Sequence, residues 1–249
     1  MYSDTRRHAS GRLFSIGSAS FWGPLLTLLL LTPGCGRYLP KLILLSGEEC
    51  TEIQEMCRKP FPVRPWRAIH AIHISGPFGW KSSFLGVTVV MPATKSIRAV
   101  IMSVEGMVLF DASYGEDTTT VHRSIPPLDR GGFSEGLLRD VRLMFMAPAG
   151  TWNQIGRNED RHLVCRWKDD QGRTTDVVFP DDGTWRILRY DRDNSLIRKV
   201  NMTGWTGNFL AERVELVAYG IGGYTLDLRL VEAGPLTAYE SNLLPAEHP

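Results

Sequence analysis

The run Gly132-Phe133-Ser134-Glu135-Gly136 has the G-x-S-x-G spacing that can present a serine nucleophile on a sharp strand-to-helix turn. Such an elbow needs a buried strand before it, and the residues in that place, "SIPPLDRG", do not read as one. Ser134 therefore reads as a helix cap, its hydroxyl accepting from an unpaired backbone N–H. A serine hydrolase also needs a histidine beside the hydroxyl. His70, His73, His122 and His162 are scattered, and no spacing brings one to Ser134. His70 and His73 stand three apart in a strand pattern, so they point to opposite faces and cannot share a metal. Asp169-Asp170 and Asp181-Asp182 fall among turn residues, where an aspartate bonds its own backbone. There is no P-loop, and Gly220-Ile221-Gly222-Gly223 lacks the following helix of a dinucleotide fingerprint. The expectation is a protein without catalytic activity, cofactor or metal, with a Ser134 esterase as the weakest alternative.

A different chemistry is written near the N-terminus. Arg6, Arg7 and Arg12 precede an apolar run from Leu25 to Leu31, which ends in Thr32-Pro33-Gly34-Cys35. Basic, then apolar, then small is the order of an export signal. A bilayer span needs about 20 apolar residues, and this run is shorter. The last four residues resemble a bacterial lipobox in Gly34 and Cys35, and depart from it in Thr32 and Pro33. Residues 1–34 are expected to be a lipoprotein signal peptide and Cys35 the lipidated residue, anchored by about 0.8 kcal/mol per buried methylene. Gly36, where an aspartate would signal inner-membrane retention, leans towards the outer membrane, with the chain facing the periplasm.

Without residues 1–34 the chain has 215 residues, 25 Lys plus Arg and 26 Asp plus Glu. That length suits one domain with a real core. The near-neutral balance carries no electrostatic footprint for nucleic acid. Cys50, Cys57 and Cys165 would sit in an oxidising compartment. A straight helix would hold Cys50 and Cys57 about 10 Å apart, beyond the reach of a disulfide. A bridge between them and free thiols both stand open, and the spacing has no zinc-site partner.

The elements that must position these residues are mostly strands. Residues 35–67 read as a tether and a short helical lead-in, "GEECTEIQEMCRK", broken by the prolines of "PFPVRPW". Eleven strands follow within 68–232: 68–75, 80–91, 95–103, 107–114, 118–123, 162–168, 174–179, 184–191, 195–203, 212–219 and 223–231. "YTLDLRLV" shows the period: Tyr224, Leu226, Leu228 and Leu230 share one face. Short joints at Glu105-Gly106, Asp170-Gln171-Gly172, Asp182-Gly183 and Asp193-Asn194 predict an antiparallel meander. "FLGVTVVM", "IRAVIM" and "MVLF" are apolar on both faces, so something must cover each side. One cover is a predicted helix over 133–146, with Phe133, Leu137, Leu138, Val141, Met144 and Phe145 on one face and Glu135, Arg139, Asp140 and Arg142 opposite. Residues 233–249 read as a tail. The fold class expected is mainly β (α+β): an eleven-stranded antiparallel open half-barrel wrapped round one or more helices.

This architecture behind a lipobox resembles the LolA/LolB fold, and is most similar to uncharacterised LolB-like lipoproteins. The resemblance is carried by "SSFLGVTVVMPATKSIRAVIMSVEGMVLFDASYG", "TWRILRYDRDNSLIRKVNM" and "ERVELVAYGIGGYTLDLRL". It implies a concave apolar cavity that receives a lipid or the acyl chain of a lipoprotein in outer-membrane biogenesis. Candidate lining residues are Phe84, Val90, Ile101, Leu109, Trp185, Ile187, Leu216, Leu226 and Leu228. LolB-type proteins expose an apolar residue at the tip of the hairpin between their third and fourth strands; Glu105 stands there in this chain. The alternative is the same fold with a filled core, acting as a periplasmic interaction subunit of an envelope assembly. Trp152 and Trp205 are candidates for touching a membrane surface.

Overall fold

The structure, a computed structural model, describes residues 38–45, 49–148, 151–205 and 210–236, and for 49–52 and 151–153 the backbone alone. The expected signal peptide, Cys35 and all but four residues of the expected tail lie outside the described residues. Among the described residues thirteen antiparallel strands form one open sheet: β1 (Ile43–Leu44), β2 (Trp66–Ser75), β3 (Lys81–Met91), β4 (Ser96–Met102), β5 (Val108–Gly115), β6 (Thr118–Ser124), β7 (Thr151–Arg157), β8 (Leu163–Lys168), β9 (Thr174–Phe179), β10 (Trp185–Tyr190), β11 (Leu196–Trp205), β12 (Ala211–Ala218) and β13 (Thr225–Pro235). Two α-helices of the described residues accompany them, α1 (Glu49–Arg58) and α2 (Phe133–Phe145).

Spatial order is β1-β7-β8-β9-β10-β11-β12-β13-β2-β3-β4-β5-β6, so two meanders join edge to edge where β13 pairs with β2. Gly106, Gly172, Gly183 and Asn194 carry positive φ at the predicted hairpin joints, which is how those tight turns close. The expectation of eleven strands is corrected to thirteen. β1 and β7 are the additions, and neither shows a clean apolar alternation, "IL" being two residues long and "TWNQIGR" mostly polar.

The chain leaves β6 at one edge of the sheet and re-enters at β7, beside the other edge. Its connection must therefore cross a face of the sheet, and α2 lies in that crossing. Phe133 packs edge-on against Phe110 of β5, and Phe145 against Trp66 and His70 of β2. Arg142 lies over the Tyr114 ring of β5, while Asp140 bonds Arg198 of β11. In a flat sheet β5 and β11 would stand about 29 Å apart, at roughly 4.8 Å per strand step. A helix is only about 10–12 Å across. The sheet must curve round α2 for both contacts to exist.

The helix is capped differently from the expectation. Gly132, at φ 81°, is the N-cap residue with no side-chain cap bond, and Ser134 lies inside the first turn. Asp140 also departs from the predicted solvent face, being 2% exposed. Cys57, at the end of α1, pairs with Cys165 of β8 across a Cα–Cα distance of 6.0 Å. α1 is continuous from Glu49 to Arg58, so Cys50 and Cys57 cannot meet, and the open choice between a Cys50–Cys57 bridge and free thiols is replaced by this long-range link.

Burial on both faces belongs to β8 and β9 rather than to β3–β5: Leu163–Trp167 and Thr174–Val178 are buried without interruption. The cover is the chain ahead of α1. Leu39 N–H donates to the Asn194 carbonyl at 2.9 Å, Arg166 Nη2 donates to the Pro40 carbonyl at 2.9 Å, and β1 pairs with β7. Gly156 permits that pairing, because a Cβ there would lie 2.5 Å from the Ile43 carbonyl oxygen. Beneath this arm Arg166 grips Asp176 with two bonds of 2.7 Å. On β3 and β4 the outward Val87, Val89 and Val100 are half-buried, beside the bidentate Arg98–Asp111 pair.

Candidate ligand-binding site

Cross-strand register places eight of the nine predicted lining residues on one face of the sheet. Ile187 stands opposite Val200, Val200 opposite Leu216, and Leu216 opposite Leu226. Leu228 stands opposite Ile72, and Ile72 opposite Phe84. Val90 stands opposite Trp66 and Ile97, Ile101 opposite Gly86 and Phe110, and Trp185 opposite Met202. Directly opposed residues share a face. Leu109 is the extra residue of a bulge between Val108 and Phe110 and has no place in that register. Val90, Ile187, Leu216, Leu226 and Leu228 are buried in the core cluster. Trp185 is taken up by aromatic contacts, its ring centroid 4.0 Å from Trp205 and 5.9 Å from Phe179. Trp205 in turn donates Nε1–H to the Gly183 carbonyl at 3.2 Å. Phe84 and Ile101 remain half-buried on the α2 side, next to Ile72 and Ile74. Gly86 keeps this wall low: a Cβ there would meet Ile72 Cδ1 at 2.4 Å.

An opening lies elsewhere. A cleft of about 680 Å³ runs between the α1–β2 connection, the β3–β4 turn, the second half of α2 and the ends of β8 to β11. That is within the usual range for a small-molecule site. It takes in none of the nine predicted residues. Phe61, Val63, Leu143 and Met146 supply apolar wall, but seven cationic side chains also line it against two carboxylates, an excess of five.

Both carboxylates are committed. Asp169 accepts from the backbone N–H groups of Gln171 and Arg173 through Oδ1, the turn bonding expected of it. Its Oδ2 also takes Arg173 Nε at 3.0 Å and Arg189 Nη2 at 2.6 Å. Burial pushes the Asp169 carboxyl up, but the Arg173 backbone N–H and the Arg189 and Arg173 charges outweigh it and hold it below the ordinary range. Arg189 is pushed down, by burial first and then by the charge of Arg173, with Arg139 adding to it; Asp169 offsets only part. Asp140 accepts from Arg198 Nε at 2.9 Å and from the Tyr224 hydroxyl. Burial, then the Asp140 charge, raises the Tyr224 phenol. This triad ties α2 to β11 and to the start of β13.

The other residues singled out by type do not assemble a catalytic group. His73 Nδ1 bonds the Ser83 hydroxyl at 2.8 Å, and His122 Nε2 bonds Ser113 at 2.9 Å. His70 is buried against Phe145, on the opposite face from His73. Among the described residues Ser134 has no histidine partner.

One edge of the sheet carries exposed apolar groups. Ser75 pairs with both Thr225 and Lys81, and Met102 with Leu85, so the β12–β13, β2–β3 and β4–β5 turns stand side by side. At about 9.6 Å per pair of strands, they present Ile221, then Phe78 and Trp80, then Val104 and Met107. Phe78 and Ile221 are fully exposed, at 108% and 111%, and Phe78 is held outward by a positive φ of 61°. Glu105 sits at the third tip as expected, its carboxyl held below the usual range by the Ser103 hydroxyl and its own backbone N–H.

No protein-family model matches this sequence, and no curated protein matches it. Solved structures do. A LolA superfamily protein from Nitrosomonas europaea superposes with a TM-score of 0.53 at 9% identity, over 77% of this chain and 95% of that one. A domain from Vibrio parahaemolyticus, described as an outer membrane lipoprotein-sorting protein, gives 0.49 at 10% identity over 77% of this chain and 94% of that one. A DUF1329 family protein from Desulfovibrio piger gives 0.43 at 11% identity, covering 78% and 96%. The first of these shows a LolA-like fold for this chain, in accord with the resemblance read from the sequence.

Proposed function

We propose that the protein is an outer-membrane lipoprotein, held by lipid on Cys35 and facing the periplasm, which binds a lipid or the acyl chain of a lipoprotein in envelope biogenesis. The observation that carries this reading is the half-exposed apolar wall of Ile72, Ile74, Phe84 and Ile101 on the α2 side of a curved sheet of LolA-like fold. An acyl chain laid on such a wall gains about 25 cal/mol per Å² of apolar surface removed from water, and needs no catalytic group. Val90, Ile187, Leu216, Leu226 and Leu228 share the face of that wall and form the packed core beside it, with Trp185 farther along on β10.

A second reading is favoured by a different observation. The core beside the wall is packed, and the apolar turns at Phe78, Val104 and Ile221 are exposed to solvent. A filled interior with an exposed apolar patch fits a subunit that docks on an envelope-assembly protein. Native mass spectrometry with lipid extraction, on protein purified from membranes, separates the two. The carrier reading expects stoichiometric lipid beyond the anchor, reduced by Phe84→Glu. Repeatedly empty protein would leave the interaction reading standing alone. Metabolic labelling with palmitate checks the tether: label is expected in the natural chain and not in Cys35→Ser.

A further inference from the structure

The cleft beside α2 has a charge that an acyl chain does not require. A mature chain that is near neutral gathers five excess cations around one opening of about 680 Å³. Asp140 is already occupied by Arg198 and Tyr224, and Asp169 serves two guanidinium groups at once. Arg58, Lys95 and Arg139 have no carboxylate partner among the described residues, and all three are exposed at the mouth. Arg173 and Arg189 lie deeper, with side chains 28% and 18% exposed, pinned by Asp169 rather than free to swing into solvent. Like charges held together and partly desolvated repel each other unless an anion joins them. Guanidinium groups fixed in position are well suited to phosphate oxygens, which they meet with paired, charge-assisted hydrogen bonds.

We propose that this cleft binds a phosphate ester, its anionic group held among Arg139, Arg173 and Arg189, with Lys95 at the rim. The flanking Phe61, Leu143 and Met146 give an apolar continuation along which a hydrocarbon portion of the same ligand lies. The inference goes beyond the acyl-chain reading and does not rest on it. A phosphorylated lipid headgroup and a soluble phosphate ester share the chemistry recognised.

Isothermal titration of the full-length protein at low ionic strength tests it, with four probes: inorganic phosphate, glycerol 3-phosphate, dihexanoyl phosphatidic acid and dihexanoyl phosphatidylcholine. Phosphate-monoester probes are expected to bind one per chain, at least tenfold tighter than the phosphatidylcholine. The double variant Arg139→Gln/Lys95→Gln removes only unpaired cations, so it should keep the far-UV circular dichroism of the natural chain while losing tenfold or more in affinity. Raising salt should weaken binding. Phosphatidic acid binding tenfold tighter than glycerol 3-phosphate assigns a lipid headgroup, and equal affinities assign a soluble ester; either supports the site. No phosphate probe bound, phosphatidylcholine bound equally well, or a double variant with unchanged affinity overturns it. Lipid-free protein that binds phosphate would sink the carrier reading alone. Lipid-loaded protein indifferent to phosphate would sink this one alone.

Discussion

His70 is 2% exposed and lies with its ring stacked on Phe145, 5.5 Å between centroids, so the closure of α2 on β2 keeps the imidazole out of water. Burial lowers its pKa from 6.5 to about 4. The sign follows directly. Above pH 6.5 the ring is neutral in both the folded and unfolded chain and stability is at its full value. As pH falls below 6.5 the unfolded chain takes up a proton that the folded one refuses, so this group's contribution is lost progressively down to about pH 4. The shift corresponds to about 3 kcal/mol at 1.36 kcal/mol per unit. Urea unfolding at pH 7 and pH 4.5 should show a loss approaching that size, and His70→Phe should flatten it across this window. Asp140 gives a second test. Replacing it with Asn leaves Arg198 part-buried without its charge partner, a change that typically destabilises by about 3–5 kcal/mol. The urea midpoint should fall accordingly, and an unchanged midpoint would refute the anchoring role. Neither residue's role was legible from spacing. A helical wheel puts Asp140 on the polar face, because it knows nothing of Arg198 and Tyr224 arriving from strands 58 and 84 residues away. The cleft cations were hidden for the same reason. Positions 58, 95, 139, 173 and 189 form no run, and the total charge masks their convergence.

At the scale of elements the hydrophobic period was a sound guide. The eleven predicted strands correspond to β2–β6 and β8–β13 within a few residues, and "FSEGLLRDVRLMF" is the helix expected of it. What failed was reading cover from composition. β3 to β5 are rich in Val and Ile, but continuous burial falls on β8 and β9, whose sequences "LVCRWK" and "TTDVVF" include Arg166 and Asp176. Those charges are tolerated because each satisfies the other and Arg166 also donates to Pro40. The arm of residues 38–45 is too short and too irregular to show a period of its own. The disulfide belongs to this scale as well, since it fastens α1 to β8 across 108 residues. Closing a loop of that length lowers the entropy of the unfolded chain by the equivalent of about 4.7 kcal/mol. Both cysteines are fully buried. The double variant Cys57→Ala/Cys165→Ala should therefore lose several kcal/mol in urea titrations, and a reducing agent should lower the melting temperature of the natural chain but not of the variant. Peptide mapping without reduction should recover the 57–165 link; a Cys50–Cys57 peptide would contradict it.

The whole molecule depends on one joint that short turns cannot foretell, the pairing of β13 with β2 between residues far apart in sequence. That joint aligns the β12–β13, β2–β3 and β4–β5 turns into a single row, so Ile221, Phe78 and Val104 become neighbours although more than a hundred residues separate the first from the other two. If this row meets a membrane, its contribution is measurable in a chain that cannot carry the proposed lipid. The Cys35→Ser chain should then retain weak binding to phospholipid vesicles, read by co-sedimentation. Burying a large apolar side chain contributes about 1.5–3 kcal/mol, so Phe78→Asp combined with Ile221→Asp should weaken that binding at least a hundredfold. Both residues are fully exposed and touch no core, so the folded chain should melt unchanged. Glu105→Leu should act in the opposite direction, strengthening the same association by removing a carboxylate that is held ionised at the third tip. Equal sedimentation of all three chains would mean that the row faces a protein instead, and the apolar turns would then belong to the interaction reading.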